Sequence, residues 1–127
     1  MKTITALLLL LSVMLSPLNG VAEEDSNLLP AEEAFKYRAS LVNPNTIEAV
    51  WTIAEGYYMY RNKFGFTAEP VQAVLGDARY PAGTIKHDEY FGEVETYTDS
   101  VRITLPLDRD HFVGGPLVLF AVGQGCN

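Results

Sequence analysis

Beyond residue 22, no stretch of this chain sustains an apolar stripe at i, i+3, i+4 for more than about ten residues, which excludes a helical bundle. The best candidate, Pro30 to Phe35, has room for one helical turn at most. Short runs rich in β-branched and aromatic residues, separated by turn chemistry, take the place of helices. From Phe35 to Val42 a two-residue rhythm puts Phe35, Tyr37, Ala39 and Leu41 on one side and Lys36, Arg38 and Ser40 on the other. That is the pattern of a half-buried strand with one wet face. Asn43-Pro44-Asn45 supplies a turn, because proline fixes φ and asparagine tolerates left-handed backbone. Thr46 to Ile53 follows as a second strand. Glu55-Gly56 breaks the chain before Tyr57 to Tyr60, and Val71 to Leu75, Val94 to Tyr97, Val101 to Leu105 and Leu117 to Val122, which reads as a buried strand, bring the count to about seven strands.

At 127 residues and 14.0 kDa the chain holds one domain, and the strand list predicts an all-β, immunoglobulin-like β-sandwich. There is no internal repeat. A hydrophobic share of 48% with 20% charged residues excludes a wholly disordered chain. The formal net charge of −7, with its few bases scattered, argues against a nucleic-acid partner, which clustered Lys and Arg would recognise. The first 22 residues read as a secretory signal peptide: Lys2 as the positive start, an apolar run from Leu7 to Leu15, and Gly20-Val21-Ala22 as the small residues before a cut at Glu23. Ser12, Ser16, Pro17 and Asn19 interrupt that run too early for a membrane span. The leader holds one base and no acid, so its removal takes the net charge from −7 to −8. The expected product, residues 23–127, is exported and acidic, in a compartment where thiols can be oxidised.

Three segments hold candidate chemistry. Gly123-Gln124-Gly125-Cys126 follows the last strand, and Cys126 is the single cysteine. The glycines on either side of Gln124 free the backbone to turn sharply and bring a thiol to a sheet rim, though a lone cysteine can equally be a small apolar filler. One cysteine excludes an internal disulfide and four-cysteine or two-cysteine, two-histidine zinc sites, and His87 and His111 are too isolated to suggest a metal. Ile85 to Glu93 reads as a loop, acidic at Asp88 and Glu89 and apolar at Tyr90 and Phe91. Adjacent carboxylates of this kind ordinarily form a solvated turn, and two large rings in a loop leave one exposed unless it covers something. In Tyr57-Tyr58-Met59-Tyr60, alternation puts Tyr58 and Tyr60 on one face and Tyr57 with Met59 on the other, as core aromatics or as the lining of a groove beside a sulfur.

Together with Leu29-Pro30-Ala31-Glu32-Glu33-Ala34-Phe35 and Trp51-Thr52-Ile53, these segments resemble the N-terminal periplasmic domain of DsbD, the thiol:disulfide interchange protein of bacterial envelopes. The resemblance runs from about Leu28 to the last residue. It implies a protein-disulfide reductase module, part of a longer membrane-anchored parent, lying in the periplasm. Such a module takes reducing equivalents from a thioredoxin-like domain of the same parent and passes them to a periplasmic disulfide isomerase or to the thioredoxins of cytochrome c biogenesis, an electron-transport relay. No cofactor and no metal is implied. On the same resemblance Cys126 is the first of two redox cysteines, Tyr58, Tyr60, Asp88 and Glu89 surround it, and Tyr90, Phe91 and Gly92 form a cap loop. Tyr90 stands where the family carries the shielding phenylalanine. The second cysteine has no counterpart, so the domain is expected to be incomplete at its C-terminal end and, alone, unable to turn over. The alternative from another class is a non-enzymatic exported β-sandwich that binds a protein or glycan through exposed tyrosines, with a structural cysteine.

Overall fold

The computed structural model describes residues 27–112 and 114–127; the expected leader lies outside them. One helical turn, α1 (Ala31–Ala34), leads into β1 (Phe35–Asn43), β2 (Thr46–Ile53) and β3 (Tyr58–Tyr60). A 3-10 turn at Arg61–Lys63 precedes β4 (Gly65–Glu69), β5 (Val74–Leu75), β6 (Thr84–Asp88) and β7 (Gly92–Tyr97). The chain continues through β8 (Ser100–Asp108), β9 (Val118–Val122) and β10 (Gly125–Cys126). All pairings are antiparallel, in one sheet of order β1-β2-β8-β5, a second of order β10-β3-β7-β6, and a β4-β9 pair. The fold is an all-β, immunoglobulin-like sandwich.

Two long strands build most of the core by alternation. β2 buries Ile47, Ala49, Trp51 and Ile53, and β8 buries Val101, Ile103, Leu105 and Leu107. Their register sets Ile47 opposite Leu105, Ala49 opposite Ile103 and Trp51 opposite Val101, so each cross-strand pair shares one face. The second sheet adds Met59 and Tyr97 to the same cluster, and β4 and β9 lay Phe66, Leu119 and Ala121 against it. Burying each of the larger apolar side chains contributes about 1.5–3 kcal/mol relative to exposure. Trp51 joins the layers: its ring lies 4.6 Å from Tyr37 of β1, 4.9 Å from Phe64 and 6.0 Å from Phe66 of β4, centroid to centroid.

Several sequence expectations change. β1 is not half-buried: beyond Phe35 its residues are exposed, because it is an edge strand paired only with β2, and its inward residues Ala39 and Leu41 face an open groove shared with Leu117 and Leu119. The strand expected at Val71 to Leu75 shrinks to Val74–Leu75, since the Ala73 amide donates to Pro70 O and closes a turn that leaves Val71 exposed. Leu117 to Val122 is not a buried strand: Val118, Phe120 and Val122 are exposed, because β9 pairs only with β4 and one face of that pair has no cover among the described residues. β4 escapes the sequence reading because it has only five residues, Gly65 among them, before Pro70, and β6, expected within a loop, because an edge strand whose residues are exposed except for Asp88 carries no apolar alternation.

Candidate functional site

The second sheet positions the site. β3 lies between β10 and β7, with β6 beyond, so Tyr58 and Tyr60 have a sheet neighbour on each side. Alternation along β3 sends Met59 into the core with Tyr57 and turns Tyr58 and Tyr60 to the opposite face. Both phenols are nonetheless buried, at 8% and 1% exposure, because the β6-β7 hairpin closes over them. Their rings meet edge to face at 5.4 Å. Of the tyrosines an adhesive surface could use, Tyr57, Tyr58 and Tyr60 are buried, whereas Tyr37 and Tyr90 are exposed.

Asp88 is what brings the hairpin down. Far from forming a solvated turn, it is 2% exposed and accepts four hydrogen bonds. Oδ2 accepts the hydroxyls of Tyr58 at 2.6 Å and Tyr60 at 2.7 Å, and Oδ1 accepts the backbone N–H of Tyr90 at 2.7 Å and of Phe91 at 2.9 Å. One carboxylate thus ties strand to loop, with its local bonds forming an Asx turn. Gly92 completes the turn at φ +73°, where a side chain would be strained. The two phenols and the two amides hold the Asp88 carboxyl well below the usual carboxylate range despite its burial. In return the Asp88 hydrogen bond, then burial, push the Tyr58 phenol up to about 12, and burial followed by Asp88 pushes Tyr60 higher still.

Cys126 reaches this cluster from β10. It pairs opposite Tyr58, and Gly125 opposite Met59; the Tyr60 amide adds a bond to Gln124 O at 3.0 Å. The glycine before the cysteine serves close approach and not the sharp turn anticipated: a Cβ on Gly125 would collide with the Phe35 ring and lie 2.7 Å from Tyr58 O. The half-buried thiol is near enough to both phenols to contribute to the upward push on each. On its other side lies an apolar groove of about 440 Å³ that includes Leu28, Leu29, Phe35 and Tyr57. The Leu29 amide donates to the Tyr57 hydroxyl at 2.7 Å, and Phe35 meets Tyr57 edge to face at 5.7 Å, which fixes the groove's wall.

The cap residues separate into distinct places. Phe91 packs edge to face on Tyr60 at 5.1 Å, whereas Tyr90, the ring expected over the sulfur, stands 75% exposed. Glu89 is exposed and takes no part in the hydrogen bonds around Asp88. Two residues missed in the sequence flank the rings: Lys86 Nζ lies 4.2 Å from the Tyr58 ring centroid and Lys63 Nζ 4.7 Å from that of Phe91. Lys86 was accessible in principle, two residues before Asp88 on one strand and so on its face. A buried carboxylate accepting two phenol hydroxyls, with a thiol alongside, is a polar pocket set beside a sulfur.

The profile of the family described as "Thiol:disulfide interchange protein DsbD, N-terminal" matches residues 25–127. The chain is similar to thiol:disulfide interchange protein DsbD 1 of Pseudomonas aeruginosa, 36% identical over 107 residues, covering 84% of this chain and 18% of that protein. It is also similar to DsbD of Ralstonia nicotianae, 31% identical over 118 residues, covering 92% and 19%. It thus spans less than a fifth of the length of these relatives. Among solved structures, the reduced DsbD N-terminal domain of Neisseria meningitidis superposes with a TM-score of 0.70 at 32% identity, covering 80% of this chain and 78% of that one. A second, of that domain in complex with the PilB N-terminal domain, gives 0.63 at 32%, covering 78% and 74%. On the matching profile, the identities and the shared fold, the chain belongs to the family of DsbD N-terminal domains.

Proposed function

We propose that this domain is a thiol-disulfide exchange module of a longer protein-disulfide reductase, working on the periplasmic side of the inner membrane, with residues 1–22 as its export signal. The observation that carries the reading is the placement of Cys126 in β10, paired opposite Tyr58 and beside two phenols that share one Asp88 oxygen. Among the described residues no helix is long and apolar enough to cross a membrane. The membrane anchor is assigned to the rest of the parent on the family resemblance. A thioredoxin-like domain of that parent is the donor. The solved complex of the Neisseria meningitidis domain with the PilB N-terminal domain supports a protein as the acceptor. A periplasmic disulfide isomerase or a cytochrome c maturation thioredoxin fits that role.

The chemistry needs two sulfurs. A thiolate of the reduced pair attacks the acceptor's disulfide, forming a mixed disulfide and releasing one acceptor thiolate. The second thiolate of the pair then attacks the sulfur joined to the acceptor, releasing the other acceptor thiolate and leaving the pair oxidised, two electrons having passed. The 127-residue chain carries one cysteine and spans less than a fifth of the relatives it matches, and we assign the second cysteine to the rest of the parent. Tyr58, Tyr60 and Asp88 form the polar wall of the site, Glu89 its rim, and Tyr90, Phe91 and Gly92 the cap that limits access of stray oxidants to the sulfur.

A coupled assay with a reduced thioredoxin-like donor and a disulfide acceptor tests this. The parent should cycle, while the 127-residue chain should form a mixed disulfide through Cys126 and stop. Steady turnover by the single-cysteine chain, or a Cys126 that forms no mixed disulfide, would overturn the assignment.

A further inference from the structure

The ring that holds the cap hairpin down has two neighbours from the strand side, Tyr60 and Lys63. Lys63 ends the 3-10 turn that follows β3 directly, and that turn has a firm base. Arg61 pairs with Glu95 of β7, donates to Pro81 O at 3.1 Å and lies over the Tyr80 ring at 5.5 Å. Lys63 is half-buried and forms no ion pair among the described residues; its ammonium contacts the Phe91 ring, 4.7 Å from the centroid. From Lys86 through Tyr58, Tyr60 and Phe91 to Lys63 the contacts form one continuous series, cationic at both ends. Only its Phe91 end lies in the hairpin loop; Tyr58 and Tyr60 belong to the sheet.

We infer that Lys63 is a positioning residue, a latch whose ammonium on the Phe91 ring holds the Glu89–Phe91 loop closed over Tyr60 and Asp88. A cation over a partly exposed ring is attracted by the negative face of the π-system, strongly enough to bias a three-residue loop and weakly enough to be released. The latch thereby splits the loop's two rings into a fixed one, Phe91, and a free one, Tyr90. This rests on the fold alone; its bearing on access to Cys126 rests on the function proposed above.

Hydrogen exchange at the Tyr90 and Phe91 amides, both donated to Asp88, reads the loop without any sulfur chemistry. Lys63→Met keeps the stem and removes the charge, and should speed exchange at these two amides by roughly two- to fivefold while leaving the core amide of Ile103 unchanged. Lys63→Arg should restore the slow rate, and Lys36→Met, which removes the same charge from the exposed edge strand, should not alter it. In a Phe91→Leu background Lys63→Met should add nothing. Unchanged exchange in Lys63→Met, or an equal effect from Lys36→Met, overturns the latch. Faster exchange with unaltered alkylation of Cys126 upholds the latch and removes the shielding role from the cap.

Discussion

Asp88 shows how one residue can give a site both its shape and its charge. Its oxygens divide the work, Oδ2 taking two phenols from β3 and Oδ1 two amides from the loop. Because both hydroxyl protons point at the carboxylate, each phenol oxygen offers lone pairs to the remaining side of the pocket. Replacement by asparagine keeps the size and removes the charge, so the leading cause of the raised Tyr58 pKa disappears. In Asp88→Asn the ionisation of Tyr58 should therefore move from about pH 12 toward the ordinary value of 10.0, read by phenolate absorbance during alkaline titration. A titration that superimposes on that of the unmodified chain would remove Asp88 from the control of the phenols. The sequence told half of this residue's story. Alternation alone placed Tyr58 and Tyr60 together, but the burial of Asp88 depends on four donors, two of them thirty and twenty-eight residues away along the chain. Composition and spacing do not report such distances, and an acid in a Gly-terminated turn reads as solvated.

Among the elements, β10 is the smallest and the one on which the cysteine depends. It has two residues, held opposite Tyr58 and Met59, and Gly125 lies flush against Phe35 and the Tyr58 backbone. Gly125→Ala would drive a methyl into both. Overpacking of this kind costs about 1–3 kcal/mol, and the strand can relieve it only by leaving β3. The variant should melt at lower temperature and show altered alkylation of Cys126; an unchanged melting point together with unchanged thiol reactivity would refute the packing role of this glycine. Elements with long apolar or alternating runs were legible, the exposed β1 and β9 among them. β2 and β8 announce themselves because one face of each is in the core, and α1 is the single turn that Pro30 to Phe35 allows. β4, β6 and β10 were missed because pairing, not burial, makes them strands, and pairing partners are remote in sequence. The Lys63–Phe91 contact was invisible for the same reason, at twenty-eight residues' separation.

At the scale of the whole molecule, the shared carboxylate links the site to the acid limit of the fold. The folded state depresses the Asp88 pKa below its ordinary 3.8, so the native protein binds that proton less readily than the unfolded chain. The resulting stability is complete above the unfolded value and is lost as pH falls through the folded one. The stability difference between the unmodified chain and Asp88→Asn, measured by urea denaturation, should be constant near neutrality and shrink below about pH 4. A difference that stays constant down to pH 2 would show that the depressed pKa does not operate in solution. Trp51 carries a different consequence. As the single tryptophan, lodged where β1, β2 and β4 converge under Tyr37, Phe64 and Phe66, it makes the domain spectroscopically self-reporting. Its fluorescence registers the closing of the layers and is blind to the hairpin over the sulfur, so a folding experiment on this chain observes the scaffold separately from the lid.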